Sequence, residues 1–239
     1  MQYMMAPLDS HYDYGFGATA EAFHHAAEKL SDDDNAIFLG RLPKAFLLRH
    51  ALELFLKSSI VIIHRKLKLP SGKKSSNEFP SIPVDKRHKA LNNVHNVAPL
   101  YAYWKEIFTK NAAALQEKAK YPLDFTIDPK MDEAIALVES HDPNSTRYRY
   151  PANLNPDEDK QKSSFKEVTA DELFPSVTPE GSDPKKTLAL VLQDEDGNFV
   201  RAYKYDDNTE KGVLDALIFL SGMFYDIHAM MRIAVTDGL

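Results

Sequence analysis

The stretch Arg49-His50-Ala51-Leu52-Glu53-Leu54-Phe55-Leu56-Lys57 lies at the centre of a segment, residues 45–63, whose apolar side chains occupy nearly every helical face. A helix that is apolar all round is covered by neighbours on most sides, so this stretch predicts the central helix of a helical core. Arg49, Glu53 and Lys57 recur at i, i+4 and i+8, which places them in one line on one face, with charges that attract in sequence. Such a line must face water, a partner or a binding site.

Segments on both sides of this helix also carry apolar residues at helical spacing, together with residues typical of helix ends. In chain order they predict a helix over 19–30, the central helix over about 35–67 with Pro43 kinking it or opening its second half, an exposed loop over 70–83, a helix from about Asp85 or Val97 to about Lys118, and a helix over 131–140 introduced by Asp128 and Pro129. These segments predict a bundle around the central helix.

The C-terminal part of the chain has a different pattern. Residues 142–184 are polar, rich in proline and aperiodic, which predicts a long insertion. Two segments of strand-forming residues then flank a polar loop and predict a β-hairpin over about 187–205. A wide apolar stripe predicts a last helix over about 209–235. We therefore expect a single, mainly α-helical domain over residues 1–239, a helical bundle with a long polar insertion and one small β-hairpin.

The composition narrows the classes of function. The formal net charge of -6 argues against a broad basic surface for non-specific nucleic-acid binding, although a local basic groove is compatible with it. The absence of cysteine excludes disulfides, thiolate zinc sites and cysteine nucleophiles. No uninterrupted apolar run is long enough for a membrane span, and the first residues lack the pattern of a secretion signal. We expect a cytoplasmic protein with no membrane partner.

Three motifs, in order along the chain, resemble those of uncharacterised HEPN-like proteins. The stretch over 49–57 looks like their "RHALEL.LK" helix. The run His95-Asn96-Val97-Ala98-Pro99-Leu100, leading to Trp104, is similar to the "HNL..L...W" start of their next helix. Arg149-Tyr150-Pro151, shortly after Asp142 and Ser145, resembles their "D..S...RYP" turn. The resemblance covers roughly residues 45–151, with the C-terminal helix as a closing element.

The resemblance implies a HEPN-like helical bundle, frequent dimerisation and association with toxin systems or phage defence. Many HEPN proteins are metal-independent ribonucleases whose signature is an arginine, four to six residues and a histidine. No arginine of this chain has a histidine at that spacing, and Arg87 comes nearest, with seven residues before His95. We therefore expect a non-catalytic binding or scaffold module of a prokaryotic defence or toxin-related system. The alternative is a metal-independent ribonuclease with a divergent Arg/His site.

The candidate site residues fall on the three motifs. RNA cleavage without a metal needs a group that activates the ribose 2′-hydroxyl and a cation that stabilises the phosphorane, roles that histidine and arginine can fill. The candidate catalytic residues are His50, His95, Arg49 and Arg149, and the candidate binding residues for a phosphate-bearing ligand are Glu53, Lys57, Asn96 and Tyr150. The structural alternative is an internal ion-pair network of Arg49, Glu53 and Lys57 that holds His95, Tyr150 and the bundle together.

Cofactors and metals are not indicated by the sequence. His24, His25 and Glu28 lie within one helical turn, but adjacent histidines point about 100° apart and no third ligand is apparent, so we predict no metal site. No Gly-rich phosphate loop, HExxH helix or GxSxG elbow occurs. The expected partners are a second copy of the chain, a protein of the same system and RNA.

Overall fold

The structure, a computed structural model, describes residues 3, 6–30, 41–71, 79–143, 145–149, 163, 165–173, 188–206 and 208–238. The protein is about 60% helical, which confirms the predicted mainly α-helical fold class. The chain divides into two compact units, residues 1–149 with 213–239 and residues 150–212.

Seven α-helices and five strands are present within the described residues. In chain order they are α1 (Phe16–Lys29), α2 (Arg41–Leu67), β1 (Ser81–Val84), β2 (Arg87–Ala90), α3 (Val97–Lys110), α4 (Ala112–Lys118), α5 (Lys130–His141), β3 (Phe165–Val168), α6 (Ala170–Leu173), β4 (Ala189–Gln193), β5 (Phe199–Tyr205) and α7 (Asn208–Val235). The predicted helix start near Asp85 or Val97 is therefore at Val97.

The helix α2 is the centre of the first unit, as its apolar pattern predicts. Leu52, Phe55 and Ile60 are fully buried in its middle, and α1 and α3 pack along it. Pro43 lies in the first turn of α2, where a missing N–H costs no hydrogen bond, so it opens the helix. The predicted start of this helix near residue 35 lies outside the described residues.

A short hairpin, β1 with β2, corrects the prediction of an exposed loop over 70–83. Val84 pairs with Arg87 across a two-residue turn, in which Asp85 has a φ of 55°. Ile82 is fully buried, and this burial holds the hairpin against the bundle. Propensity alone does not identify a four-residue strand in a segment rich in serine and proline.

The second unit contains a three-stranded antiparallel sheet with the strand order β3-β5-β4. Its β4 and β5 form the predicted hairpin, with Val191 opposite Ala202. The third strand, β3, lies inside the segment predicted as an aperiodic insertion, and it pairs with β5. The sequence predicted one small β-hairpin, but the described residues hold two sheets with five strands in all.

The helix α7 supplies the predicted closing element of the first unit. Phe224 is fully buried on it and packs edge-on against Trp104, with ring centroids 4.8 Å apart. Among the described residues, Lys211–Val235 is the one helical segment whose length and composition would allow it to cross a membrane, and 44% of its most apolar stretch is buried. The core helix of a globular protein meets the same criteria.

Candidate functional site

The line of charges on α2 is buried rather than exposed to water. Arg49, Glu53 and Lys57 are 3%, 1% and 3% exposed. Charges that are removed from water in this way require partners, since an unpaired buried charge costs several kcal/mol. The identity of these partners determines whether the line is a site or a structural network.

The Arg49 guanidinium is shared among four partners. Its Nη1 donates to Glu53 Oε2 at 3.2 Å, and its Nε lies 2.7 Å from Asp142 Oδ2. Its Nη2 donates to the carbonyl oxygen of His95 at 2.8 Å and to Ser145 Oγ. A guanidinium presents five N–H donors, and these contacts occupy all three of its nitrogens.

The Glu53 carboxylate is the hub of the network. Its Oε1 accepts from Lys57 Nζ and from His95 Nδ1, both at 2.9 Å, while its Oε2 accepts from Arg49. Burial alone would raise the pKa of the Glu53 carboxyl, but Lys57, His95 and Arg49 more than offset it, and the pKa is lowered. Glu53 is thus held as a carboxylate by neighbours on three sides.

The turn after α5 carries the third motif, Asp142 and Ser145, and it binds both the second motif and Arg49. Asp142 Oδ1 accepts from the backbone N–H groups of Thr146 and Arg147 at 2.8 and 2.9 Å, which fixes the turn. Ser145 Oγ donates to the carbonyl oxygen of His95 at 2.9 Å. Asn96 Nδ2 donates to the carbonyl oxygen of Pro143 at 2.5 Å. The three motifs of the sequence therefore meet through hydrogen bonds and ion pairs.

His50 takes no part in this network. Its ring lies edge-on to Phe23, with centroids 4.6 Å apart, and parallel to Phe46 at 6.0 Å. Its Nδ1 is buried and has no hydrogen-bond partner among the described residues. Burial is the main cause that lowers the pKa of His50. The contacts described for the imidazole are therefore ring-packing contacts.

The crevice beside Arg49 has almost no free space. It leaves no volume that a water-sized sphere can enter. Its lining residues are Phe46, Arg49, His50, Asp142, Ser145, Tyr148 and Arg149. A phosphate group would therefore have to displace existing partners of Arg49 to reach it.

The predicted site residues fall into three groups in the structure. Arg49, Glu53, Lys57 and His95, through both its ring Nδ1 and its carbonyl oxygen, are united in one network, to which Asn96 is joined through the neighbouring turn. His50 and the exposed Arg149 lie beside it, and their roles stay predictions. Tyr150 lies outside the described residues. The structure thus contains the internal ion-pair network that the sequence left as an alternative, with Asp142 and Ser145 as further members.

A second buried polar cluster was missed by the sequence interpretation. Ser58 Oγ donates to Asp13 Oδ2 at 2.5 Å and lies 3.0 Å from His228 Nδ1. The other ring nitrogen, His228 Nε2, lies 3.0 Å from the hydroxyl of Tyr3. Ser58 is fully buried and its hydroxyl already bonds both neighbours, so it is not placed to attack a substrate. The cluster ties the N-terminal segment, α2 and α7 together.

Further charges surround His228. Glu21 Oε1 lies 3.6 Å from His228 Nε2 and 3.9 Å from Arg232 Nε, and the Arg232 guanidinium stacks on Tyr3 at 4.1 Å. Burial is the main cause that lowers the pKa of His228, to about 4. The Asp13 carboxylate opposes this shift, whereas Arg232 and His11 act in the same direction as burial. Burial raises the pKa of Glu21.

This cluster predicts a loss of stability in mild acid. The folded-state pKa of His228 is about 4 against 6.5 for a free histidine, so between these pH values the unfolded chain binds a proton that the folded chain does not. The free energy of unfolding therefore falls as the pH drops from 6.5 to 4, and this difference in the pKa of His228 corresponds to about 3 kcal/mol. The raised pKa of Glu21 offsets part of this loss, because the folded chain binds a proton there more readily than the unfolded chain. Urea unfolding at several pH values measures the loss of stability, and an NMR titration of the His228 ring measures its pKa in the folded protein. A His228 ring that titrates near pH 6.5 in the folded protein would contradict this expectation.

An open groove of about 690 Å³ runs between α3 and α5. Its floor is formed by small side chains, those of Ala98, Ala102 and Ala136. The carboxylates of Glu106 and Glu139 also line it. Burial is the main cause that raises the pKa of Glu139. Small residues at a helix–helix groove allow another backbone to approach closely, so the groove has the form of a seat for a further segment.

Comparison of the chain with protein-family models, with curated proteins and with solved structures finds no match.

Proposed function

We propose that this protein is a HEPN-like, non-catalytic binding or scaffold module of a prokaryotic defence or toxin-related system. The observation that supports it most strongly is the burial of Arg49 among four partners: its three nitrogens contact Glu53, Asp142, Ser145 and the carbonyl oxygen of His95. An arginine that stabilises a phosphorane needs donors free to face the phosphate. A buried network of this kind fixes the register of the helices instead.

The groove between α3 and α5 supports a binding role. The groove has an apolar floor, and its lining carries three carboxylates, Glu106, Asp132 and Glu139, against one lysine, Lys105. This net negative charge favours a protein segment over the phosphate backbone of RNA, because like charges repel. A second copy of this chain or another protein of the same system would supply that segment. The net charge of -6 points in the same direction.

The first test is an assay for RNA cleavage. We expect purified protein, incubated with mixed RNA in EDTA at high protein concentration, to leave the RNA intact, since no free guanidinium faces the His95 imidazole in the described network. Gel electrophoresis of the RNA over a time course measures the result. Cleavage that is lost in His95→Ala and retained in His88→Ala, an exposed histidine on β2, would defeat the non-catalytic proposal.

One observation favours the ribonuclease as a second candidate. His95 is 48% exposed, and its Nδ1 is hydrogen-bonded to the buried Glu53 carboxylate. A buried carboxylate that orients an imidazole leaves Nε2 as the nitrogen that can exchange a proton with a substrate. His95 would then act as general base, and the exposed Arg149 would have to supply the cation. The same His95→Ala variant decides between the two functions.

A further inference from the structure

We propose that His24, His25 and Glu28 form a binding site for a zinc-class divalent ion at the C-terminal end of α1. One donor atom from each side chain lies within 4.8 Å of the other two. Two imidazoles and one carboxylate are a ligand set that zinc uses where three protein ligands leave a fourth position open. The site would thus offer that open position to water or to a group of a partner.

Helix geometry explains how two adjacent histidines share one carboxylate. At 100° per residue, Glu28 lies about 40° around the helix from His24 and about 60° from His25, and so between them. Glu28 Oε2 is 2.8 Å from His25 Nδ1, and Glu28 Oε1 is 3.6 Å from His24 Nε2. The sequence-based prediction of no metal site rested on the divergence of the two histidines and on the lack of an apparent third ligand. Glu28, which lies between the two rings, is the third ligand of this proposal.

Residues of α7 hold the His24 ring in a ligating orientation. Ser221 Oγ lies 2.8 Å from His24 Nδ1, and the ring stacks on Tyr225 with centroids 5.1 Å apart and planes 14° apart. When Nδ1 donates to the serine, the lone pair of Nε2 faces Glu28. A hydrogen bond on the second ring nitrogen is the usual support of a metal-binding histidine.

The remaining adjustment is small and falls on exposed side chains. In a tetrahedral zinc site the donor atoms lie about 3.3 Å apart, closer than the widest separation here. His25 and Glu28 are 49% and 55% exposed, so rotation about their side-chain bonds can close the distance, while His24 stays fixed. The negative charge of Asp226 near His24 favours a cation, whereas Lys29 opposes it.

Isothermal titration of ZnCl2 into the full chain tests the site. We expect saturable binding of a single ion, and at least about a tenfold loss of affinity in His25→Ala and in Glu28→Gln. Both positions are exposed, so these variants should keep the fold. His88→Ala removes an exposed histidine on β2 and should bind as the unmodified chain does. The absence of saturable binding, or equal affinity in His25→Ala, Glu28→Gln and the unmodified chain, overturns the proposal.

Ser221→Ala distinguishes a built site from two surface histidines. Loss of the hydrogen bond to His24 Nδ1 should weaken zinc binding about tenfold or more and alter the visible absorption bands of the Co²⁺-loaded chain. An affinity and a Co²⁺ spectrum identical to those of the unmodified chain would show that α7 does not support the site, against the proposal. The RNA assay contains EDTA, so its outcome is independent of this site.

Discussion

Replacing Glu53 with alanine is expected to lower the free energy of unfolding by about 3–5 kcal/mol, the usual cost of breaking a buried ion pair from one side. Glu53 is 1% exposed and accepts hydrogen bonds from Arg49, Lys57 and His95. Without it, Lys57 loses its carboxylate partner, and the hydrogen bond that it keeps among the described residues is to the carbonyl oxygen of Asn92, at 3.4 Å, while its charge stays buried. Urea unfolding followed by circular dichroism measures the loss.

Two comparisons isolate the cause of that loss. Glu117→Ala removes the same charge from a side chain that is 75% exposed, and should change stability by less than about 1 kcal/mol. Glu53→Met combined with Lys57→Met removes both partners of one pair and fills the space with apolar atoms, and should recover much of the stability. A Glu53→Ala variant that unfolds within about 1 kcal/mol of the unmodified chain would show that the network carries little of the fold's stability.

The spacing of Arg49, Glu53 and Lys57 predicted one line of alternating charges, and it left open whether that line is an internal network or a binding site. Residues four apart on a helix are neighbours, and three alternating charges in an apolar helix must satisfy one another. The resemblance to HEPN-like motifs also drew Asp142 and Ser145 into the same region. The local pattern could not show that Arg49 would contact Asp142, Ser145 and the backbone of His95, because these contacts depend on how the turn after α5 packs against α2.

The cluster around Ser58 could not be predicted in this way. Its members Asp13, Ser58 and His228 come from three distant segments, and no periodicity links them. Each looks ordinary in its own segment, because a serine or a histidine within an apolar helix is usually a tolerated polar residue. The one local signal is that Ser58 and Ser59 interrupt the apolar face of a helix that is buried on all sides.

The hairpin of β1 and β2 and the strand β3 were missed for a related reason. Each of these three strands is four residues long, and such short strands are formed by their pairing partners more than by their own propensity. The metal-site proposal also depends on tertiary structure, since Ser221 and Tyr225 on α7 orient His24. Contacts between distant segments are the part of this fold that local sequence patterns do not predict.

Gly17→Ala is expected to destabilise the protein by about 4 kcal/mol, although it adds only a methyl group near the start of α1. A Cβ at Gly17 would lie 2.0 Å from His228 Cε1 and 2.8 Å from Asp13 Oδ2, distances that no packed atoms adopt. His228 is 1% exposed and held by Ser58 and Tyr3, so the ring cannot move without losing buried hydrogen bonds. Overpacking and unsatisfied polar groups cost about 1–3 kcal/mol each.

Gly222→Ala is the matched control for Gly17→Ala, because a Cβ at Gly222, within α7, meets nothing within 4 Å. Alanine is the better helix former by about 0.5–1 kcal/mol, so this variant should be slightly more stable than the unmodified chain. The two variants therefore differ in sign for the same chemical change, and thermal unfolding measures both. If Gly17→Ala were as stable as Gly222→Ala, His228 would not be packed against α1, and the loss of stability expected in mild acid would have no basis. The pair of glycine variants thus tests whether His228, which joins the N-terminal segment, α2 and α7 in one buried polar cluster, is packed tightly against α1.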